Sequence, residues 1–194
     1  YEIGTGDWSS DVCLPISWLG GSVVCLEGKT VGLGEREEAR DIGRVLSSYS
    51  DLIMARLYAH SGMTELAQYS QVPVVNGLTD YNHPCQVMAD ALTVQEQLGR
   101  LEGIKWVYVG DGNNMVQSML ELAAVVPIEL HLVSPEGYQS TVSDEDRAKF
   151  EAIGSKVYLS SDPHASIKVA RRATIFQMQL LPEKRIRVVV PGNL

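Results

Sequence analysis

Ile104-Lys-Trp-Val-Tyr-Val109, followed at once by Gly110-Asp-Gly-Asn-Asn114, decides the fold class. The apolar, aromatic run reads as a buried strand, and the Gly/Asn loop after it leads into a helix from about Met115. The same alternation continues outward in both directions. Downstream come a strand at Ile128–Val133, a helix at Asp144–Ile153, a strand at Val157–Leu159, a helix at Ala165–Ala173 and a last strand at Ile186–Val190. Upstream, Ser22–Leu26 reads as a short buried strand, and Glu35–Ser48 carries a helical apolar stripe at Ala39, Ile42, Val45 and Leu46. Asp51–Arg56 is a strand candidate and Thr64–Ser70 a short helix, while Val72–Val75 is a short strand before an Asn76-Gly77 turn. Pro84 suits the first position of the next helix, with Asn82 or His83 as cap and Gly99 as stop. Strands alternating with helices imply parallel sheets covered on both faces. The expected fold is therefore α/β, with two doubly wound parallel-sheet units. Leu98-Gly-Arg-Leu-Glu-Gly103 is the natural seam, giving units 1–99 and 100–194.

Bulk properties narrow the function. The 194 residues are 45% hydrophobic and 21% charged, as in ordinary soluble globular proteins. A formal net charge of −8 and only short basic spots, Arg171-Arg172 and Lys184-Arg185, argue against nucleic acid as a partner. Cys13, Cys25 and Cys85 are too few and too scattered for a disulfide framework and lack metal-ligand spacing, so no metal is expected. That cysteine usage points to a reducing compartment, and no apolar run approaches a membrane span. With no signal peptide visible at Tyr1-Glu2-Ile3-Gly4, cytoplasmic is the plain reading. The absent initiator Met suggests a processed, excerpted or truncated chain.

Three loops follow strand ends, where parallel sheets bind ligands. Arg56 closes one strand; it could serve an anion or be a surface ion-pair residue. His83-Pro84-Cys85-Gln86 opens a helix whose free N–H groups favour a neutral imidazole able to polarise a carbonyl. Gln86, one turn on, suits an amide-like ligand. Alternatively, His83 is a capping residue and Gln86 is solvated. The Gly110 loop permits close backbone approach but lacks the third glycine of a dinucleotide fingerprint, so a tight turn explains it equally well. Asn113 and Asn114 offer amides suited to zwitterions. Helix-start geometry lowers a thiol pKa at Cys85, whereas Cys13 and Cys25 read as packing residues.

Arg44-Val-Leu-Ser47, Val74-Val-Asn-Gly-Leu-Thr-Asp80, His83-Pro-Cys-Gln86, Tyr108-Val-Gly-Asp-Gly-Asn-Asn114 and Ser134-Pro-Glu-Gly-Tyr138, in this order, closely resemble the aspartate/ornithine carbamoyltransferase family. The match covers roughly the middle half of the chain, and the ornithine branch fits better than the aspartate branch. The resemblance implies a carbamoyl-phosphate domain followed by an amino-acid domain, homotrimers with sites at subunit boundaries, and no metal or organic cofactor. It implies amino-acid metabolism, namely arginine biosynthesis, by carbamoyl transfer from carbamoyl phosphate to the ornithine side-chain amine, giving citrulline. Arg56, His83 and Gln86 would contact the carbamoyl group, and Asn114, with Asn113 beside it, the ornithine backbone.

The departures are as informative. Where the family carries Ser-Thr-Arg-Thr-Arg before a helix ending Leu-Gly-Gly, counting back from Leu19-Gly-Gly21 gives Thr5-Gly6-Asp7-Trp8-Ser9. Both arginines are gone, and Asp7 adds negative charge towards a dianionic phosphate. Charge-assisted hydrogen bonds contribute about 1.5–3 kcal/mol each, so the loss implies roughly a thousandfold or more in affinity. Ala173-Thr-Ile-Phe-Gln-Met-Gln179 replaces an Asp and Ser-Met-Gly that grip the acceptor amine, and Val188-Val-Val-Pro191 replaces His-Cys-Leu-Pro. Glu35-Arg-Glu-Glu38 stands in place of a Gly-rich version of that loop. Relative to the family, the first unit lacks its usual N-terminal part and the second its C-terminal part. The expectation is a catalytically impaired or divergent homologue, a pseudoenzyme candidate. The alternatives are an active ornithine carbamoyltransferase completed by neighbouring subunits or missing chain, and a related enzyme with an altered substrate.

Overall fold

A computed structural model describes residues 16–26, 32, 37–162, 173–180 and 185–189. In chain order its elements are α1 (Ala39–Ser47), β1 (Ile53–Arg56), α2 (His60–Tyr69), β2 (Val74–Leu78), α3 (Pro84–Leu98), β3 (Lys105–Val109), α4 (Asn114–Ala123), β4 (Glu129–Val133), α5 (Asp144–Ile153), β5 (Lys156–Ser160), β6 (Ile175–Leu180) and β7 (Arg185–Val189). The α/β alternation expected from the sequence is present. β1 and β2 pair in parallel, and a second sheet has the order β5-β4-β3-β6-β7.

Local chemistry sets the element ends. Pro84 stands at the first position of α3, where its missing N–H costs nothing, and Gly99 stops the helix at φ 68° while donating its N–H to Gln95 O. The Ser143 hydroxyl caps α5 by accepting from Asp146 N, and Asp144, Glu145 and Asp146 place negative charge on the positive end of that helix.

Two cores form. The smaller gathers Ala39, Ile42, Ile53 and Leu66 between α1, α2 and β1. The larger surrounds the fully buried Trp106 and Tyr108, and it includes Val87, Ala91 and Val94 of α3. That helix therefore packs on the second sheet as well as following the first. A Cβ added at Gly43 would meet Leu66 O at 2.8 Å, so α1 and α2 approach as closely as a bare glycine permits. Because the obstacle is backbone, Gly43→Ala should force the helices apart and cost about 1–3 kcal/mol. Urea unfolding would show this as a lower midpoint with unchanged slope.

Several expectations are corrected. Residues 22–26 form no strand and are exposed, Cys25 included, so Cys25 is not a packing residue. A short apolar run signals burial only where a neighbouring strand completes its hydrogen bonds, and none among the described residues does so. Asn76-Gly77 is no turn. β2 runs through it, and the register passes from Ala55↔Asn76 to Arg56↔Leu78, leaving Gly77 as an extra residue. The last strand, β7, runs antiparallel to β6, so the second sheet is not wholly parallel. β6 itself went unread as a strand, although its apolar and polar residues nearly alternate. Cys13 and the Ala165–Ala173 helix, apart from Ala173 itself, lie outside the described residues. No helix among the described residues is long and apolar enough to cross a membrane.

Candidate functional site

β1, β2 and β3 end at Arg56, Leu78 and Val109, and the loops beyond them carry the candidate residues. The Gly77 irregularity sits beside Arg56, where a bulge re-aims the strand end. Arg56 is half-buried, and among the described residues its guanidinium makes no ion pair.

The loop after β2 is built around two buried polar side chains. Asn82 N donates to Thr79 Oγ1 (3.3 Å), and Thr79 N donates to Asn82 O (2.9 Å). The Thr79 hydroxyl lies 3.2 Å from Asn82 Oδ1 and 3.0 Å from His60 Nδ1. A hydroxyl has one proton and two lone pairs. If it donates to Asn82 Oδ1, His60 must present Nδ1–H to it, which fixes that ring's tautomer. Asn82 Oδ1 also accepts from Asn76 Nδ2 at 2.6 Å.

One face of α4 fastens this loop. Asn114 Nδ2 donates to Thr79 O (2.8 Å), Gln117 Nε2 to Tyr81 Oη (2.9 Å), and Ser118 Oγ accepts from His83 N (2.7 Å). Glu121 takes Asn82 Nδ2 on both carboxylate oxygens, at 3.2 and 3.1 Å. Positions 114, 117, 118 and 121 recur every three or four residues, the spacing of a single helix face. That polar stripe was visible in the sequence and went unread, because its partners lie some 35 to 39 residues away.

His83 occupies the N-cap position of α3 but makes no side-chain cap hydrogen bond, so capping does not explain it. Its Nδ1 is buried and has no partner among the described residues. Burial, and then the charge of Arg56, hold its pKa below the ordinary histidine value, keeping the ring neutral at physiological pH. A neutral imidazole beside a guanidinium can donate hydrogen bonds to one developing oxyanion without spending its own charge. Cys85 goes against expectation. Burial pushes its thiol pKa up, outweighing the helix start, and Sγ donates to Asn76 O at 3.3 Å.

Gln86 is not merely solvated: its Nε2 donates to Asp90 Oδ1 at 3.0 Å. Asp90 is only 7% exposed, and burial raises its pKa despite hydrogen bonds from Gln86 and Gln177. The native state therefore holds that proton more tightly than the unfolded chain. This contribution to stability is fully present below the ordinary Asp pKa and is lost as pH rises through the raised value. Asp90→Asn removes the titration, so its stability relative to the parent should climb from about pH 4 upwards. Urea midpoints of both proteins across that range check the sign.

In the Gly110 loop, Asn113 caps α4: Oδ1 accepts from Met115 N (2.9 Å), and Nδ2 donates to Asp111 Oδ1 (3.0 Å). The reason for Gly112 is internal, since a Cβ there would meet Ser140 N at 2.4 Å. The close approach that this glycine permits is to the 138–140 segment and not to a nucleotide. Thr5, Gly6, Asp7, Trp8 and Ser9 lie outside the described residues.

Two family models match in succession: the aspartate/ornithine carbamoyltransferase carbamoyl-P binding domain over residues 13–96, and the Asp/Orn binding domain of the same family over 102–181. The chain belongs to the aspartate/ornithine carbamoyltransferase family. Among carbamoyltransferase relatives, the chloroplastic ornithine carbamoyltransferase of Pisum sativum is 50% identical over 154 residues, covering 79% of this chain and 41% of that protein. The ornithine carbamoyltransferase of Chlorobaculum tepidum is 45% identical over 152 residues, 78% of this chain and 45% of the relative. In solved structures, that from Pyrococcus furiosus superposes with a TM-score of 0.78 at 34% identity, over 88% of this chain and 54% of its own. Aspartate transcarbamoylase from Trypanosoma cruzi, in complex with carbamoyl phosphate, gives 0.76 at 25% identity over 91% and 56%. The chain thus spans about half the length of the carbamoyltransferases it matches.

Proposed function

We propose that this chain is a divergent carbamoyltransferase of the ornithine type that keeps a carbamoyl-binding centre and has weak or no citrulline-forming turnover. The observation that carries this reading is the neutral, half-buried His83 beside Arg56, with Nδ1 unpartnered among the described residues. In this reading Arg56 and His83 donate to the carbamoyl oxygen and Gln86 contacts the carbamoyl amide. Asn114, with Asn113 beside it, borders the amino-acid substrate. No metal or organic cofactor takes part. The carbamoyl-phosphate-type unit is 1–99 and the ornithine-type unit 100–194, in a cytoplasmic homotrimer descended from arginine-biosynthesis enzymes. Weak turnover follows from Thr5–Ser9, which lacks the family's two arginines, and from Gln177 and Val188 at the altered acceptor motifs. Those two residues face each other in register on β6 and β7, so both changes fall at one place in the sheet.

Citrulline formation from carbamoyl phosphate and ornithine tests this. The expected rate is far below the usual enzymatic range of about 1–1,000 per second, and turnover within that range would overturn the reading. A second reading, an active enzyme completed by a neighbouring subunit or by further chain, is favoured by the retained Arg56, His83, Gln86 and Asn114. It requires tight binding of a bisubstrate phosphonate analogue, and folded protein giving no heat on titration would exclude it.

A further inference from the structure

A buried chain of polar groups runs from β3 to the first turn of α3, and its members leave each other no choice of orientation. Trp106 Nε1 can only donate, so the Gln177 atom 3.2 Å from it must be Oε1. Gln177 Nε2 then points at Asp90 Oδ2, 3.4 Å away. The other Asp90 oxygen receives Gln86 Nε2 at 3.0 Å. Gln177 and Trp106 are fully buried and Asp90 nearly so, which keeps water from substituting for any partner. Asp90 holds the NH2 end of the Gln86 amide through one of its two N–H groups, so the carbonyl end is the one turned away from Asp90, and Oε1 makes no hydrogen bond among the described residues.

We propose that Asp90, oriented by Gln177 and Trp106, is a positioning residue that fixes the Gln86 amide with its oxygen towards the site, selecting a ligand that offers an N–H there over one that offers a carboxylate. This rests on the reading that Gln86 faces the carbamoyl group. The device spans both family-matched segments, since Gln177 and Trp106 come from the second sheet while Asp90 and Gln86 lie on α3.

Asp90→Asn should invert the arrangement. In Asp90→Asn the new Oδ1 must accept from Gln177, so its Nδ2 faces position 86. Gln86 then turns its carbonyl inward and its NH2 outward. The probes are phosphonoacetamide and phosphonoacetate, alike in the phosphonate and differing in amide against carboxylate. Calorimetry on the full chain should show the parent preferring the amide, and that preference should fall roughly tenfold or reverse in Asp90→Asn. Removing a negative charge by itself favours the carboxylate probe, so the same pair is measured in a Gln86→Leu background. There only the charge effect should remain, so the shift should shrink clearly; a shift of undiminished size overturns the proposal, as would equal weakening of both probes. If the parent binds neither probe, the functional reading fails along with ligand selection. The orientation is then decided by NMR: the Gln86 side-chain amide protons should exchange slowly in the parent and faster in Asp90→Asn, with thermal melts showing both folded. Equal exchange in the two proteins would overturn it.

Discussion

Trp106→Ala is expected to destabilise the chain by at least about 3–5 kcal/mol, the usual cost of emptying a large buried aromatic site. Trp106 is fully buried in the larger core, on the face of β3 that packs against α3 and α4. The indole also satisfies Gln177 Oε1, which is buried beside it. Truncation therefore leaves a cavity and an orphaned amide oxygen, and the second adds about 1–3 kcal/mol. Domains of this size are stable by about 5–15 kcal/mol, so the variant should be largely unfolded or close to it at 37 °C. Trp106→Phe separates the two costs, because it keeps much of the volume and loses only the N–H. A clearly smaller loss is expected there, with Gln177→Leu in the same background recovering part of it. Denaturant titration of the three variants checks the ordering; Trp106→Ala within 1 kcal/mol or so of the parent would refute the packing argument.

How far the sequence disclosed this arrangement depended on the range of the interactions. β3, the Gly110 loop and α4 could be read because strand and helix periods are local. Pro84 and Gly99 marked α3 for the same reason, each acting on its own backbone. His83 and Arg56 were legible as candidates because family-like residues stand at strand and helix ends. What failed was long-range. Residues 22–26 look like a buried strand until one asks which strand completes their hydrogen bonds. Asn76-Gly77 has the composition of a turn, yet pairing with β1 draws both residues into β2, with Gly77 as the surplus residue. Gln177 read as the remnant of a lost motif, and its partnership with Trp106 and Asp90 joins residues 71 and 87 positions apart. Cys85 misled in the opposite direction, because burial by distant residues outweighed the helix end it sits on.

Restoring the absent arginines should have the largest effect on binding. Asp7→Arg combined with Ser9→Arg is expected to raise affinity for phosphonoacetamide by about a thousandfold, two charge-assisted hydrogen bonds at about 1.5–3 kcal/mol each. The positions follow from the family pattern, counted back from Leu19-Gly20-Gly21. That anchor has structure of its own: a helical turn at 16–18 is closed by Gly20 N donating to Ser17 O and Gly21 N to Ile16 O. Replacing Asp7 also removes a carboxylate from the approach of a dianion, so the single Asp7→Arg change should contribute more than Ser9→Arg. Lysine at both positions should recover only part of the gain, since an ammonium cannot make the paired, planar contact a guanidinium offers a phosphonate. Register supplies the sharpest control. Trp8→Arg with Ser10→Arg adds two positive charges one residue along while keeping Asp7, and it should gain little beyond what salt screens away. Equal gains from the two arginine pairs would mean that general charge, and not a rebuilt phosphate grip, had been restored. No gain from either, in folded protein, would show that the loss at Thr5–Ser9 is not what limits binding.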